Sequence, residues 1–259
     1  MKKLLPLLLV LALTWWCGSC ARLRAPVPEA VAPVETSECE ISKLLTDLLR
    51  CEDDLKNGNG EKTNRLIHAA QLSFLLGELS PKTEKIYYYE KGKGYAEALA
   101  AEQPAWAEGH YWVGLNLCGL AETGGARQGL KLVPRIVDKM EQALQVNPFY
   151  EQAGAHRVLG RIYYECPAWP LSVGNLSESL KHLSRAVALA PGNSTNHLFL
   201  AETLLKLGKK EEARRELEQV LKATRHAHCQ KYLEEDRQEA RRLLQENWKT
   251  ETRARAVIP

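Results

Sequence analysis

Apolar residues recur along most of this chain with the period of a helix, and three stretches repeat one arrangement. His110, His156 and His197 are each followed, at equal offsets, by a bulky apolar residue, a small one, and another large one a turn later. The sets are Val113, Gly114 and Leu117; Leu159, Gly160 and Tyr163; Leu200, Ala201 and Leu204. Each set is one face of a helix. The second copy is followed by Leu183, Ala186 and Pro191, and the third by Ala213, Leu217 and Val220, which supply the apolar face of a partner helix. The unit is therefore an αα-hairpin, and since one hairpin cannot bury its apolar face alone, the copies must stack.

Numbered with the histidine at position 4, the third copy runs from Ser194 and carries His197, Leu200, Ala201, Leu204, Ala213 and Leu217 without a gap. That pattern resembles a tetratricopeptide repeat. The second copy, from Ala153, matches on its first helix and ends on Pro191, with extra residues between its helices. The small residue lets the two helices approach, and the proline stops the second. The fold class expected is an all-α, tetratricopeptide-like solenoid. Its clearest repeats are expected over 107–148, 153–193 and 194–227, within a single helical domain over 39–259.

The periodicity predicts helices over 39–57, 61–79, 81–102, 104–121, 128–146, 150–164, 176–190, 194–207, 209–223 and 228–249. Asn57-Gly58-Asn59-Gly60, Ser80-Pro81, Gln103-Pro104, Asn147-Pro148 and Pro191-Gly192 separate them. The last helix, with Leu233, Ala240, Leu243 and Leu244 on one face and charges on the other, reads as the polar cap that a solenoid end needs. Two stretches break the pattern between paired helices, Gly119 to Gly129 and Glu165 to Asn175. Both are expected as irregular insertions on one edge, since every such turn of a solenoid lies on the same side. Trp169, among Pro167, Ala168 and Pro170, needs burial and a partner for its N–H. The alternatives are a loop roofing the groove and a loop packed on its own repeat.

Composition supports the helical reading: Leu, Ala, Glu, Lys and Arg abound, and Gly and Pro serve as punctuation. A net charge of +3 implies no strong field toward nucleic acid or a membrane surface, and loss of Lys2 and Lys3 with a leader would bring it to about +1. Residues 1–19 read as a signal peptide, two lysines followed by an apolar run from Leu4 to Trp16 that is too short to span a bilayer. Gly18-Ser19-Cys20 resembles a bacterial lipoprotein box, with Cys17 where that box has Leu. Lipidation of Cys20 competes with ordinary cleavage near Ala21; acyl chains on Cys20 would give a stable anchor. Residues 20–38 carry Pro26, Pro28 and Pro33 and read as a tether.

Cys39, Cys51, Cys118, Cys166 and Cys229 would remain. Cys39 and Cys51, on one helix, lie ~18 Å apart and cannot bond. Cys118 and Cys166, at the ends of first helices in adjacent repeats, either approach one another or serve as buried small hydrophobes.

The groove of such a solenoid is lined by positions 2, 5, 9 and 12 of each first helix: Glu108, Tyr111, Leu115 and Cys118; Gly154, Arg157, Arg161 and Tyr164; Thr195, Leu198, Glu202 and Leu205. Arg157 and Arg161, one turn apart, suit a bidentate grip on a carboxylate. They equally suit pairing within the protein, Arg161 with Glu165 and Arg157 with a carboxylate of an adjacent repeat. Tyr111, Arg157, Arg161, Tyr164, Trp169 and Glu202 are the candidate groove residues. No catalytic, metal or cofactor site is expected. His226 and His228 do not share a helix face, and Gly124-Gly125 follows no strand. The repeating histidines are explained by packing.

Longer strings add a second resemblance. HYWVGLNL (110–117), HRVLGRIYYECPAWPLSVGN (156–175), IYYYEKGKGYAEALA (86–100) and NHLFLAETLL (196–205) look like the T component of tripartite ATP-independent periplasmic (TRAP) transporters. The likeness runs from about Lys62 to Glu246, and implies a lipid-anchored, periplasm-facing interaction protein that associates with the transporter's solute-binding protein. It also implies a cleft or pore through each protomer and allows a homotrimer. Two functions are therefore expected as alternatives: an adaptor presenting its groove to a partner protein, or a carrier holding a small anionic or apolar ligand in that groove.

Overall fold

The computed structural model describes residues 37–223 and 230–255. The expected leader, Cys20, the tether, the His226–Cys229 stretch and the end of the chain lie outside the described residues; of Cys39 only the helical backbone is described. Ten helices follow one another: α1 (Ser37–Asn57), α2 (Lys62–Leu79), α3 (Lys82–Glu102), α4 (Ala107–Thr123), α5 (Ala126–Val146), α6 (Tyr150–Glu165), α7 (Leu176–Leu189), α8 (Ser194–Lys206), α9 (Lys210–Lys222) and α10 (Gln230–Arg255). No strand is present among the described residues, only an isolated bridge between Ala168 and Gly174. The architecture is an all-α solenoid, as expected.

Each helix packs on the next, and α2, α4, α6, α8 and α10 also touch in succession. These five form an inner layer, and α1, α3, α5, α7 and α9 an outer one. Antiparallel neighbours make every inner helix run one way and every outer helix the other. Thus the ends of α2, α4, α6 and α8 lie on the same edge as the starts of α1, α3, α5, α7 and α9. Glu52 of α1 accepts from Tyr95 of α3 at 2.7 Å and pairs with Lys91 at 2.6 Å, which sets those two outer helices side by side.

Hairpin closure rests on the recurring small residue. A Cβ added to Gly114 would meet Met140 Cε at 2.6 Å, and one added to Gly160 would meet Leu183 Cγ at 2.4 Å. Met140, Leu183 and Leu217 thus hold one position in the three partner helices, and all are fully buried. Ends are capped locally. Asn175 accepts from the backbone N–H of Ser177 and Glu178 at the start of α7, and Asn193 from that of Asn196 at the start of α8. Gly208, at φ +75°, ends α8 with bonds from Gly208 N to Leu205 O (3.0 Å) and Lys209 N to Leu204 O (2.9 Å). That left-handed ending favours glycine.

One expected insertion is absent. α4 continues to Thr123 and α5 starts at Ala126, leaving a tight turn through Gly125 at φ +78° in place of a loop over Gly119 to Gly129. The glycines there serve contact: a Cβ on Gly119 would strike the Tyr89 ring at 2.5 Å, and one on Gly129 the Ala121 carbonyl oxygen at 3.1 Å. The Glu165–Asn175 stretch is irregular as expected. Cys51, Cys118 and Cys166 are buried and form no disulfide, which is the small-hydrophobe alternative.

The two hairpin glycines differ in what gives way. Gly160→Ala drives a branched carbon of Leu183, and is expected to lower stability by ~1–3 kcal/mol. Gly114→Ala meets the mobile end of Met140 and is expected to cost less than half as much; urea unfolding of the two variants checks the order.

Candidate functional site

The three recurring histidines show first what positions the inner wall. His110 Nε2 donates to the Pro104 carbonyl and His197 Nε2 to the Pro191 carbonyl, both at 2.8 Å, so each ties its helix to the turn before it. His197 Nδ1 also meets Glu216 at 2.6 Å, and this carboxylate holds the imidazole above its ordinary pKa despite burial. His156 departs from the pattern: its Nδ1 lies 3.0 Å from His182 Nδ1, where His182 occupies the position of Glu216. Burial, then the neighbouring His182 and Arg185, push His156 down to about 4.

His156 lacks the turn contact because the chain enters α6 differently. Glu151, Gln152 and Ala153 take φ values of 50°, 54° and 61°, a left-handed turn built without glycine. Such residues cost of order 1–2 kcal/mol each and persist where surroundings hold them. Here the holder is Arg157, 2 % exposed. Its guanidinium donates to the carbonyls of Gln152 (3.3 Å) and Glu151 (3.4 Å) and to Asn196 Oδ1 (3.1 Å). Asn196 in turn donates to Gln152 O and Ala186 O, and Asn193 donates to Gln152 Oε1 at 2.8 Å. Arg157 therefore joins the turn to α8 through an amide and carbonyls, where a carboxylate of an adjacent repeat was expected.

One turn on, Arg161 is also 2 % exposed. It pairs with Glu165 at 2.5 Å and, across to α8, with Glu202. Its guanidinium lies between the rings of Phe199 (4.6 Å) and Tyr164 (4.9 Å). Burial opposes the charge, but Glu202 and Glu165 outweigh it and raise the pKa. The pairing of Arg161 with Glu165 is thus present, and Glu202 completes it. Tyr164 is half-buried, with Lys206 Nζ 4.1 Å from its ring centre and bonded to its carbonyl at 3.1 Å.

Tyr111 is fully buried; its ring packs edge-on to Trp112 and Tyr150, both at 5.3 Å, and its hydroxyl lies where a Cβ on Gly154 would fall. On the far side, Ser194 and Thr195 donate to Asp236 of α10 at 2.7 and 2.8 Å. Burial raises Asp236 to about 6, the two hydroxyls only partly offsetting it. Burial likewise raises Glu151 to about 7, against the lowering pull of Arg157. Tyr111, Arg157, Arg161 and Glu202 thus form one polar seam across α4, α6 and α8. Asn196 and Asp236 belong to it and were not expected. Asn196 reads as an ordinary early-helix residue, and Asp236 carries no periodic signal.

Trp169 is elsewhere. It is 86 % exposed, against the burial expected for its indole. The loop folds on itself, with Gly174 N bonded to Pro167 O at 2.9 Å and Leu171 N to Ala168 O at 3.1 Å, which turns the indole out. Among the described residues no group of three or more His, Cys, Asp or Glu is arranged to hold a metal ion, and no helix is long and apolar enough to cross a membrane.

A family model described as "Regulator of microtubule dynamics protein 1-3" matches residues 34–249. A crystal structure of TTC0263, a thermophilic TPR protein of Thermus thermophilus, is similar with a TM-score of 0.57 and 21% identity, covering 78% of this chain and 92% of that one. That likeness shows the tetratricopeptide-type fold. No curated protein matches.

Two tests probe the seam. Arg161→Met removes the cation from between Glu165 and Glu202 and is expected to cost ~3–5 kcal/mol, and combining it with Glu202→Gln is expected to cost less than the sum of the two single changes; a double-mutant cycle by denaturant unfolding measures the coupling. The raised Glu151 favours the folded state while protonated, so its contribution is present below pH ~4.5 and lost as pH rises through about 7. Glu151→Gln is expected to be more stable than wild type at pH 8, by on the order of 2 kcal/mol, with the gain vanishing near pH 4.

Proposed function

The chain belongs to the family of regulators of microtubule dynamics proteins 1-3, whose model spans 216 of its 259 residues, and on that footing we propose that it is a non-catalytic protein-interaction module. The solenoid of tetratricopeptide type supports this, because stacked hairpins offer an extended inner surface. The observation that carries the reading is the seam itself. Arg157 and Arg161 are spent on internal partners, which fixes inner helices α6 and α8 in register and leaves half-buried Tyr164 on the last turn of α6. In this reading Tyr111, Arg157, Arg161 and Glu202 shape the surface and Tyr164 touches the partner.

The resemblance to the T component of TRAP transporters, together with the Leu-rich start and Cys20, supports a periplasmic solute-binding protein as partner and a lipid anchor at the cell envelope. The same resemblance extends to a homotrimer. The matched family's description instead names microtubule dynamics, and would make the partner a cytoskeletal protein. The carrier reading, with a small anionic or apolar ligand in the groove, has one observation in its favour: the buried Glu151 Oε2 has no hydrogen-bond partner among the described residues and would accept from a ligand's hydroxyl or protonated acid.

Affinity capture with detergent-extracted full-length protein, read by mass spectrometry of proteins and small molecules, separates these. A solute-binding protein in the eluate supports the transporter partner, and a cytoskeletal one the family's role. A stoichiometric small molecule with no protein overturns the module in favour of the carrier. Tyr164→Ala is expected to weaken capture of the partner by about 30-fold, the effect of losing a buried aromatic anchor.

A further inference from the structure

We propose that the Cys166–Asn175 loop is a membrane-contact tip, with Trp169 and Leu171 seated in the interfacial layer of a lipid bilayer. They are the most exposed large apolar side chains among the described residues, at 86 % and 70 %. A single exposed leucine is ordinary, but an indole and a leucine two residues apart on one tip are not. From Cys166 through Ser177 the chain has no ionisable residue beyond the buried Cys166 thiol. Trp favours the bilayer interface, where its ring is buried and its N–H stays wet.

The tip is braced. Besides its internal bonds, Asn175 N donates to Tyr163 O at 2.8 Å, and Gly174 sits so close to the Cys166 carbonyl that a Cβ would fall 2.0 Å from that oxygen. The two side chains are therefore presented by a fixed backbone, and little ordering entropy is lost on contact.

Topology supplies the occupant. The loop joins the end of α6 to the start of α7, and that edge also holds the start of α1 at Ser37. The residues before Ser37, with the apolar run Leu4 to Trp16 and Cys20, therefore enter the solenoid on the side to which Trp169 belongs. The stretch from Cys20 to Ser37 spans at most ~60 Å when extended and about 23 Å as a flexible coil, so a membrane holding that start faces this edge. Lys206, Lys209 and Lys210 are exposed on the adjoining turn, with Glu211 and Glu212 beyond them and Lys209 3.4 Å from Glu212. These charges nearly balance, so the contact is chiefly apolar and tolerates zwitterionic lipid.

The test uses the full-length protein reconstituted into phosphatidylcholine vesicles with and without brominated acyl chains, wild type against Trp169→Phe. The difference between their tryptophan emissions is the signal of Trp169, and the exposed site makes the substitution harmless to folding. The proposal expects that signal to be largely quenched by brominated chains and shielded from acrylamide. Co-flotation of the protein with the vesicles on a density gradient reports that it is seated on them. If the protein floats with the vesicles while the Trp169 signal is untouched by brominated chains, the proposal is overturned. Shielding from acrylamide without bromine quenching overturns it too, since that outcome places protein over the indole.

Discussion

Two helices share a core only as far as their backbones can approach, and here a small residue at one recurring position sets that distance. Gly114 and Gly160 face Met140 and Leu183, and the space a side chain would take is already filled by the partner helix; Ala201 and Leu217 hold the same repeat positions and are fully buried. The rest follows from this closeness. Tight hairpins leave one apolar flank each, the flanks stack, and stacking aligns the inner helices into a wall and their ends into an edge. Tyr89 shows the same constraint between units: its ring fills the place of a Cβ on both Gly77 and Gly119, wedging α3 against α2 and α4.

What the sequence displayed depended on range. Helices, hairpins and the recurring histidines are local periodicities, and the structure reproduces them to within a few residues. The Arg161–Glu165 pair, one turn apart, was equally open to reading. Glu202, 41 residues from Arg161, was singled out by repeat position, yet nothing local tied the two together. The stretch from Gly119 to Gly129 misled because glycine signals both turns and close contact, and only a tertiary neighbour such as Tyr89 separates them. The left-handed turn at Glu151, Gln152 and Ala153 left no trace in sequence, since none is glycine and its cause is Arg157 reaching back from the next turn. Trp169 was misjudged for a related reason. An indole's preference for burial does not say what buries it.

The seam also explains how a solenoid of similar units avoids slipping. Apolar stacking is nearly indifferent to a shift of one turn, since Leu replaces Leu. A buried guanidinium is not: moving α8 by a turn would separate Arg161 from Glu202 and Arg157 from Asn196, leaving charge uncompensated where burial penalises it. Such pairs add little net stability against an apolar replacement, so their effect is on register. Asp236 extends the same logic to the end of the array, where Ser194 and Thr195 fix α10 against the final hairpin.

Wall and edge are perpendicular features of one lattice, and this constrains how a partner can approach. Helix axes run from edge to edge, so a surface that meets the edge carrying Ser37 and the Cys166–Asn175 loop meets the helices end-on. The inner wall then stands upright on that surface and opens sideways. A partner reaching Tyr164, on the last turn of α6, would lie alongside the solenoid and close to the surface, because that turn leads directly into the loop. The short distance in sequence between Arg161, Tyr164 and Trp169 thus puts the end of the wall and the tip of the loop on one support, the last turn of α6, to which the backbone of Asn175 is bonded at Tyr163.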